Sequence, residues 1–134
     1  MRLRSHGFSH IGQVRAVNQD AFCSDDKLGF YVVADGVGGR AHGEVASSLT
    51  VEEAMIYLRR EQAKVALCKD DPLPTNFDTA RRLLENAIQH ACYMVHGMGE
   101  DEPGHHGMST TVSALLVLDD NTALIGQEIG RAHV

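Results

Sequence analysis

Asp35 closes a short apolar run, Tyr31 to Ala34, and is followed by Gly36, Gly38 and Gly39. A carboxylate at a strand end beside a glycine-rich turn suits a hard cation. The strand fixes the carboxylate, and a residue without Cβ at position 36 lets its carbonyl approach the same ion. The plain alternative is a tight strand-to-helix turn carrying a solvated aspartate, and this stretch alone divides evenly between the two. A second acid, Asp20, closes the polar run G-Q-V-R-A-V-N-Q-D that begins at Gly12 and carries the isolated Arg15.

These residues need elements to hold them. Ala21 to Cys23 predicts the start of a strand, Ser24 to Gly29 a hairpin turn, and Phe30 to Ala34 the returning strand that delivers Asp35. The antiparallel order puts Asp20 and Asp35 at the same edge. Upstream, F-S-H-I within Gly7 to Gly12 is a weak strand candidate. Downstream, the periodicity of Val51, Ala54, Met55 and Leu58 predicts a helix from Gly43 to about Lys64. Cys68 to Asn76 contains Pro72 and Pro74 and reads as a loop. Thr75 and Asp78 resemble a capping box ahead of a second helix. That helix carries Ala80, Leu83, Leu84, Ala87, Ile88, Ala91, Met94 and Val95 on one stripe and ends near Gly97 and Gly99. Ser109 to Leu118 is nearly free of charge and reads as a strand buried on both faces. Asp119 to Asn121 is its turn and Thr122 to Gly126 the returning strand.

The chain has 134 residues, 43% apolar, with a formal charge of −6. That length holds one domain with its own core. The acidic balance and the lack of a basic run argue against a nucleic-acid partner. Cys23, Cys68 and Cys92 are widely spaced and odd in number, which points to a reduced, cytoplasmic setting. No stretch has the length or apolarity of a membrane span or a secretory h-region.

Three segments in register resemble one family. They are G-x-V-R-x-x-N-Q-D at Gly12 to Asp20, V-A-D-G-V-G-G at Val33 to Gly39 with G-E-V-A-S at Gly43 to Ser47, and G-M-S-T-T at Gly107 to Thr111. Together they resemble the metal-dependent protein phosphatases, the PPM or type 2C Ser/Thr family, and most closely its bacterial branch. The resemblance implies an α+β fold, part of an α-β-β-α sandwich of antiparallel sheets with flanking helix pairs. It implies hydrolysis of phosphoserine and phosphothreonine in proteins with two Mn²⁺ or Mg²⁺ ions, opposing a Ser/Thr kinase. By position it implies that Asp35 bridges the ions, that Gly36 lends a backbone carbonyl, and that Asp20 is an outer acid acting through water. Gln19 stands where many members carry Glu. Arg15 falls on the phosphate-binding arginine, whose fork can clamp two phosphate oxygens. The plain alternative for Arg15 is a surface arginine. The same scaffold also allows a non-catalytic phosphoprotein-binding or regulatory domain.

Other positions depart from the family pattern. A histidine often found in the glycine turn is replaced by Val37 and Arg40; His42 lies close by, and its plain reading is a solvated loop histidine. His105 and His106 have neither cysteines nor helical spacing to make them a metal site. After T-A-L-I-G-Q the family usually continues with further strands and aspartates. The expectation is therefore that residues 1–134 form the N-terminal portion of one domain, inactive alone. The expectation for Ile129 to Val134 is a non-native tail, because a common sequencing adaptor translates to those residues.

Overall fold

A computed structural model describes residues 2–10, 18–37, 42–71, 73–101 and 109–128. The first hairpin joins β1 (Asp20–Asp25) to β2 (Phe30–Val37). Its turn is fixed locally. Asp25 Oδ1 accepts from the Leu28 amide at 2.9 Å, the Gly29 amide donates to the Asp25 carbonyl at 2.8 Å, and Gly29 sits at φ 74°. A side-chain acceptor followed by a left-handed glycine is the chemistry such a turn requires. β2 is longer than its apolar run, so Asp35 lies inside the strand rather than beyond it. The Phe8–His10 part of the first candidate strand is not in a strand, and Ile11 and Gly12 lie outside the described residues.

Three helices follow: α1 (His42–Arg60), α2 (Gln62–Asp70) and α3 (Pro74–Asp101). The single helix expected to Lys64 is broken at Glu61, whose amide is shared between the carbonyls of Tyr57 (3.3 Å) and Leu58 (3.2 Å). The chain then resumes as α2, and Cys68, expected in a loop, is buried there with Val65 one turn away. The capping box is also overturned. Pro74 opens α3, the place where a missing N–H costs nothing. Thr75 lies inside the first turn, and Asp78 pairs with Arg81 at 2.6 Å and Arg82 at 3.2 Å instead of reaching back. On the α3 stripe, Cys92 is buried where Met94 was expected, and Met94 is exposed. The helix runs past Gly97 to Asp101.

β3 (Ser109–Val117) and β4 (Ala123–Glu128) complete a four-stranded antiparallel sheet of order β1-β2-β3-β4. Phe30, Val32, Ala34, Val112, Ala114 and Leu116 meet Val51, Leu58 and the α3 stripe in one core. The period-2 alternation decides which side is packed. Alternate residues of β2 and β3 are buried under the helices, while Phe22, Val33 and Ile125 are exposed on the other face. The expectation that β3 is buried on both faces is thus corrected: among the described residues its second face is only partly covered. Among those residues no helix is long and apolar enough to cross a membrane.

The hairpin turn also docks on the helices. Arg59 of α1 bonds Asp25 Oδ2 at 3.1 Å, and the Lys69 ammonium of α2 donates to the Leu28 carbonyl. The Leu28 amide, then the Arg59 guanidinium, hold the Asp25 carboxyl below its ordinary range against the opposing effect of burial. A depressed folded pKa gives stability that is present above the unfolded value of about 3.9 and is lost as pH falls through the folded value. Asp25→Asn is therefore expected to flatten the acid limb of stability below about pH 4. Urea unfolding at pH 6 and pH 3 checks this, and an unchanged acid slope in the variant refutes it.

Candidate functional site

The site begins with strand register. Asp20 and Asp35 are direct cross-strand partners in β1 and β2, and Asp35 is in turn the partner of Thr111 in β3. Residues opposed in this way point to the same face. That face is the one without helices, where both acids are exposed. The expectation that the hairpin places the two acids together is thereby met, and a third strand joins them.

The backbone of each acid meets a polar side chain. Asn18 Oδ1 accepts from the Asp20 amide at 3.0 Å, and Asn18 Nδ2 donates to Ser9 Oγ at 2.7 Å. The buried Thr110 hydroxyl is shared between the Asp35 carbonyl at 3.1 Å, across 75 residues of sequence, and the Thr111 carbonyl at 2.8 Å. These positioning roles were missed in the sequence, although Asn18 and Thr110 lie inside segments that carried the resemblance. Their signal was a polar residue beside each acid-bearing segment, with no role yet attached.

Gly36 is held by its neighbours on both sides. Its amide donates to the Gln19 carbonyl at 2.8 Å. A Cβ added to Gly36 would stand 1.8 Å from the carbonyl oxygen of Gly43, in the first turn of α1. The helix entry therefore presses on the backbone next to Asp35. Absence of a side chain at position 36 is required by this packing, whatever else its carbonyl does.

A cleft of about 360 Å³ opens over the two acids, lined by Phe8, His10, Asp20, Phe22, Asp35 and Thr111 among others. Arg15 lies outside the described residues, as do His105, His106 and the side chain of His42. Among the described residues no three His, Cys, Asp or Glu side chains gather as a metal cluster. Two facing carboxylates remain, an all-oxygen donor pair of the type that hard divalent cations take.

The sequence profile named Protein phosphatase 2C matches residues 6–130. The chain belongs to this family. It is 34% identical over 129 residues to a putative protein phosphatase 2C-type protein of Streptococcus pyogenes, covering 92% of this chain and 48% of that one. It is 32% identical over 132 residues to the serine/threonine protein phosphatase PstP of Mycobacterium tuberculosis, covering 98% of this chain and 21% of that one. The chain thus spans about half or less of the length of these relatives. Among solved structures, the M. tuberculosis PstP/Ppp serine/threonine phosphatase superposes with a TM-score of 0.64 at 29% identity, covering 90% of this chain and 44% of that chain. The catalytic domain of PstP in complex with two manganese ions gives a TM-score of 0.58 at 28% identity, covering 84% and 42%. In this phosphatase 2C chain, segments far apart in sequence converge: Asp20, Asp35–Gly36 and Thr110–Thr111 occupy neighbouring positions on three adjacent strands. The observed sheet and helices are the α+β part of the expected sandwich, and the matched solved domains are about twice as long.

Proposed function

We propose that this chain carries the opening half of the metal site of a Ser/Thr protein phosphatase that works in the cytoplasm against a Ser/Thr kinase. The Asp20–Asp35 pair carries the reading. Two carboxylate-bearing residues directly opposite on adjacent strands offer an oxygen donor pair to a divalent cation. Two Mn²⁺ or Mg²⁺ ions, when bound, supply a water ionised near neutral pH and offset the charge developing at phosphorus. Asp35 holds the central carboxylate, with its backbone anchored by Thr110. Asp20 holds the outer one, with its backbone amide held by Asn18. Gly36 offers its carbonyl, and Arg15 binds the phosphate oxygens of the substrate.

Hard cations take about six oxygen ligands each, more than Asp20, Asp35 and Gly36 offer. Residues 1–134 alone are therefore expected to be inactive, and turnover is expected of the full-length protein. The test measures Mn²⁺-dependent cleavage of a phosphothreonine peptide, with Mn²⁺ binding followed separately by calorimetry. Metal binding and turnover by the full-length protein support the reading. Phosphopeptide binding without turnover would make it a non-catalytic regulatory domain.

Arg15→Ala is expected to raise KM for the phosphopeptide by about tenfold or more while kcat changes less than about threefold. Those are the consequences of removing a charge-assisted hydrogen bond made to substrate and transition state alike. An unchanged kcat/KM returns Arg15 to the ordinary surface.

A further inference from the structure

Residues 2–10 lie along the β1–β2 hairpin, and one contact pins them to its turn. Ser5 Oγ donates to Asp26 Oδ1 at 2.6 Å, and the Ser5 amide donates to Asp26 Oδ2 at 3.2 Å. Tyr31 Oη completes the arrangement, donating to Asp26 Oδ1 at 2.9 Å. Beyond this latch, Gly7 rests on the ring of Phe22, so closely that a Cβ there would stand 1.9 Å from Cε2. Phe8 stacks on His10 with ring centroids 6.3 Å apart, and both line the cleft over Asp20 and Asp35. Ser9 bonds Asn18, which accepts from the Asp20 amide. One end of this segment is therefore held by a serine hydroxyl, and the other borders the candidate site.

Ser5 is exposed, and the sequence before it is Arg2-Leu3-Arg4. Guanidinium groups three residues and one residue before a serine suit an acid-lined substrate groove, where they form charge-assisted pairs. We propose that Ser5 is a phosphorylation site for an arginine-directed protein serine kinase, and that its phosphorylation unlatches residues 2–10 from the hairpin turn. The donor is a nucleoside triphosphate. Its terminal phosphoanhydride bond breaks, a P–O bond forms to Ser5 Oγ, the hydroxyl proton passes to the kinase, and a nucleoside diphosphate leaves.

The consequence follows from charge. The modification removes the O–H donor that Asp26 uses and sets a phosphate, near −2 at neutral pH, against a carboxylate. Asp26 is ionised there, since the Ser5 and Tyr31 hydroxyls hold its carboxyl below the usual range. Asp25, next in sequence, is already paired with Arg59, which leaves Asp26 as the opposing carboxylate. Lys27 follows Asp26, and pairing of the phosphate with its ammonium is the competing arrangement that would keep the segment in place. The latch consists of exposed hydrogen bonds, whose local opening lets a kinase engage the segment.

The proposal does not depend on the chain being a phosphatase, so hydrolytic activity is not its readout. The full chain is treated with a purified arginine-directed kinase and Mg·ATP, and the product is mapped by mass spectrometry. One phosphate on Ser5, absent in Ser5→Ala, is expected; no incorporation, or incorporation elsewhere only, overturns the site. Chain carrying phosphoserine at position 5, installed during synthesis, is then digested with chymotrypsin. Cleavage after Phe8 is expected to be at least tenfold faster than in the unmodified chain, and equal rates overturn the unlatching. In Asp26→Asn the repelling carboxylate is gone, and phosphorylation is expected to change cleavage less than twofold. A tenfold effect persisting in that variant would place the repulsion elsewhere and also overturn the proposal.

Discussion

Asp35→Asn in the full-length protein is expected to lower Mn²⁺-dependent phosphopeptide turnover by at least about a thousandfold, the upper range for loss of one preorganised electrostatic element. The substitution keeps size and shape, and the Thr110 bond to the backbone carbonyl is untouched. What changes is one negative charge at the point where Asp20 and Asp35 face each other. The side chain is exposed, and the backbone anchor does not depend on the carboxylate. Loss of activity should therefore come with a little-changed thermal midpoint of the metal-free protein. This pairing separates a functional role from a structural one, because a residue needed for folding would lose both. Near-normal turnover by the variant excludes Asp35 as the central ligand.

Gly36→Ala is expected to cost about 3 kcal/mol of stability, at the upper end for overpacking. The added methyl would stand 1.8 Å from the Gly43 carbonyl oxygen and 2.9 Å from the Gln19 carbonyl oxygen. Both obstacles are backbone atoms, so no side chain can swing aside, and α1 has to shift away from β2. Gly43→Ala is expected to cost less. Its methyl would meet the Gln19 side chain at 2.7 Å, which can yield in part, although the backbone carbon of Gly36 lies at 2.9 Å. Urea unfolding of both variants, read at constant m-value, checks the order. A Gly36→Ala midpoint equal to that of the parent would show that this approach is looser than described.

The hairpin was legible because its signals are local. The turn residues S-D-D-K-L-G marked the hairpin, and its antiparallel order put Asp20 and Asp35 at one edge. The helix region was less legible because tertiary packing overrode local cues there. C-K-D-D reads as loop by composition, yet Cys68 with Val65 supplies a short apolar face, and burial of those two side chains carries α2 through the polar stretch. Pro74 reads as a breaker until its position is known, since the same residue opens a helix at its first turn. For β3, an apolar run cannot say which of its faces is packed. At the site, the acids were visible as residue types, whereas Thr110 and Asn18 act through backbone bonds that only the fold reveals.

The anchoring of Asp35 by Thr110 has a consequence for how the protein is made. The first hairpin can close within about 1–10 μs of leaving the ribosome, so the facing carboxylates form early. Their third strand arrives 75 residues later. At about 5–20 residues per second, that interval lasts roughly 4–15 s. Throughout it β2 exposes an unpaired edge bearing Phe30 and Val32, with α1 the first element able to shelter it. A stalled or early-terminated nascent chain would hold this edge open and offer it to a chaperone during synthesis.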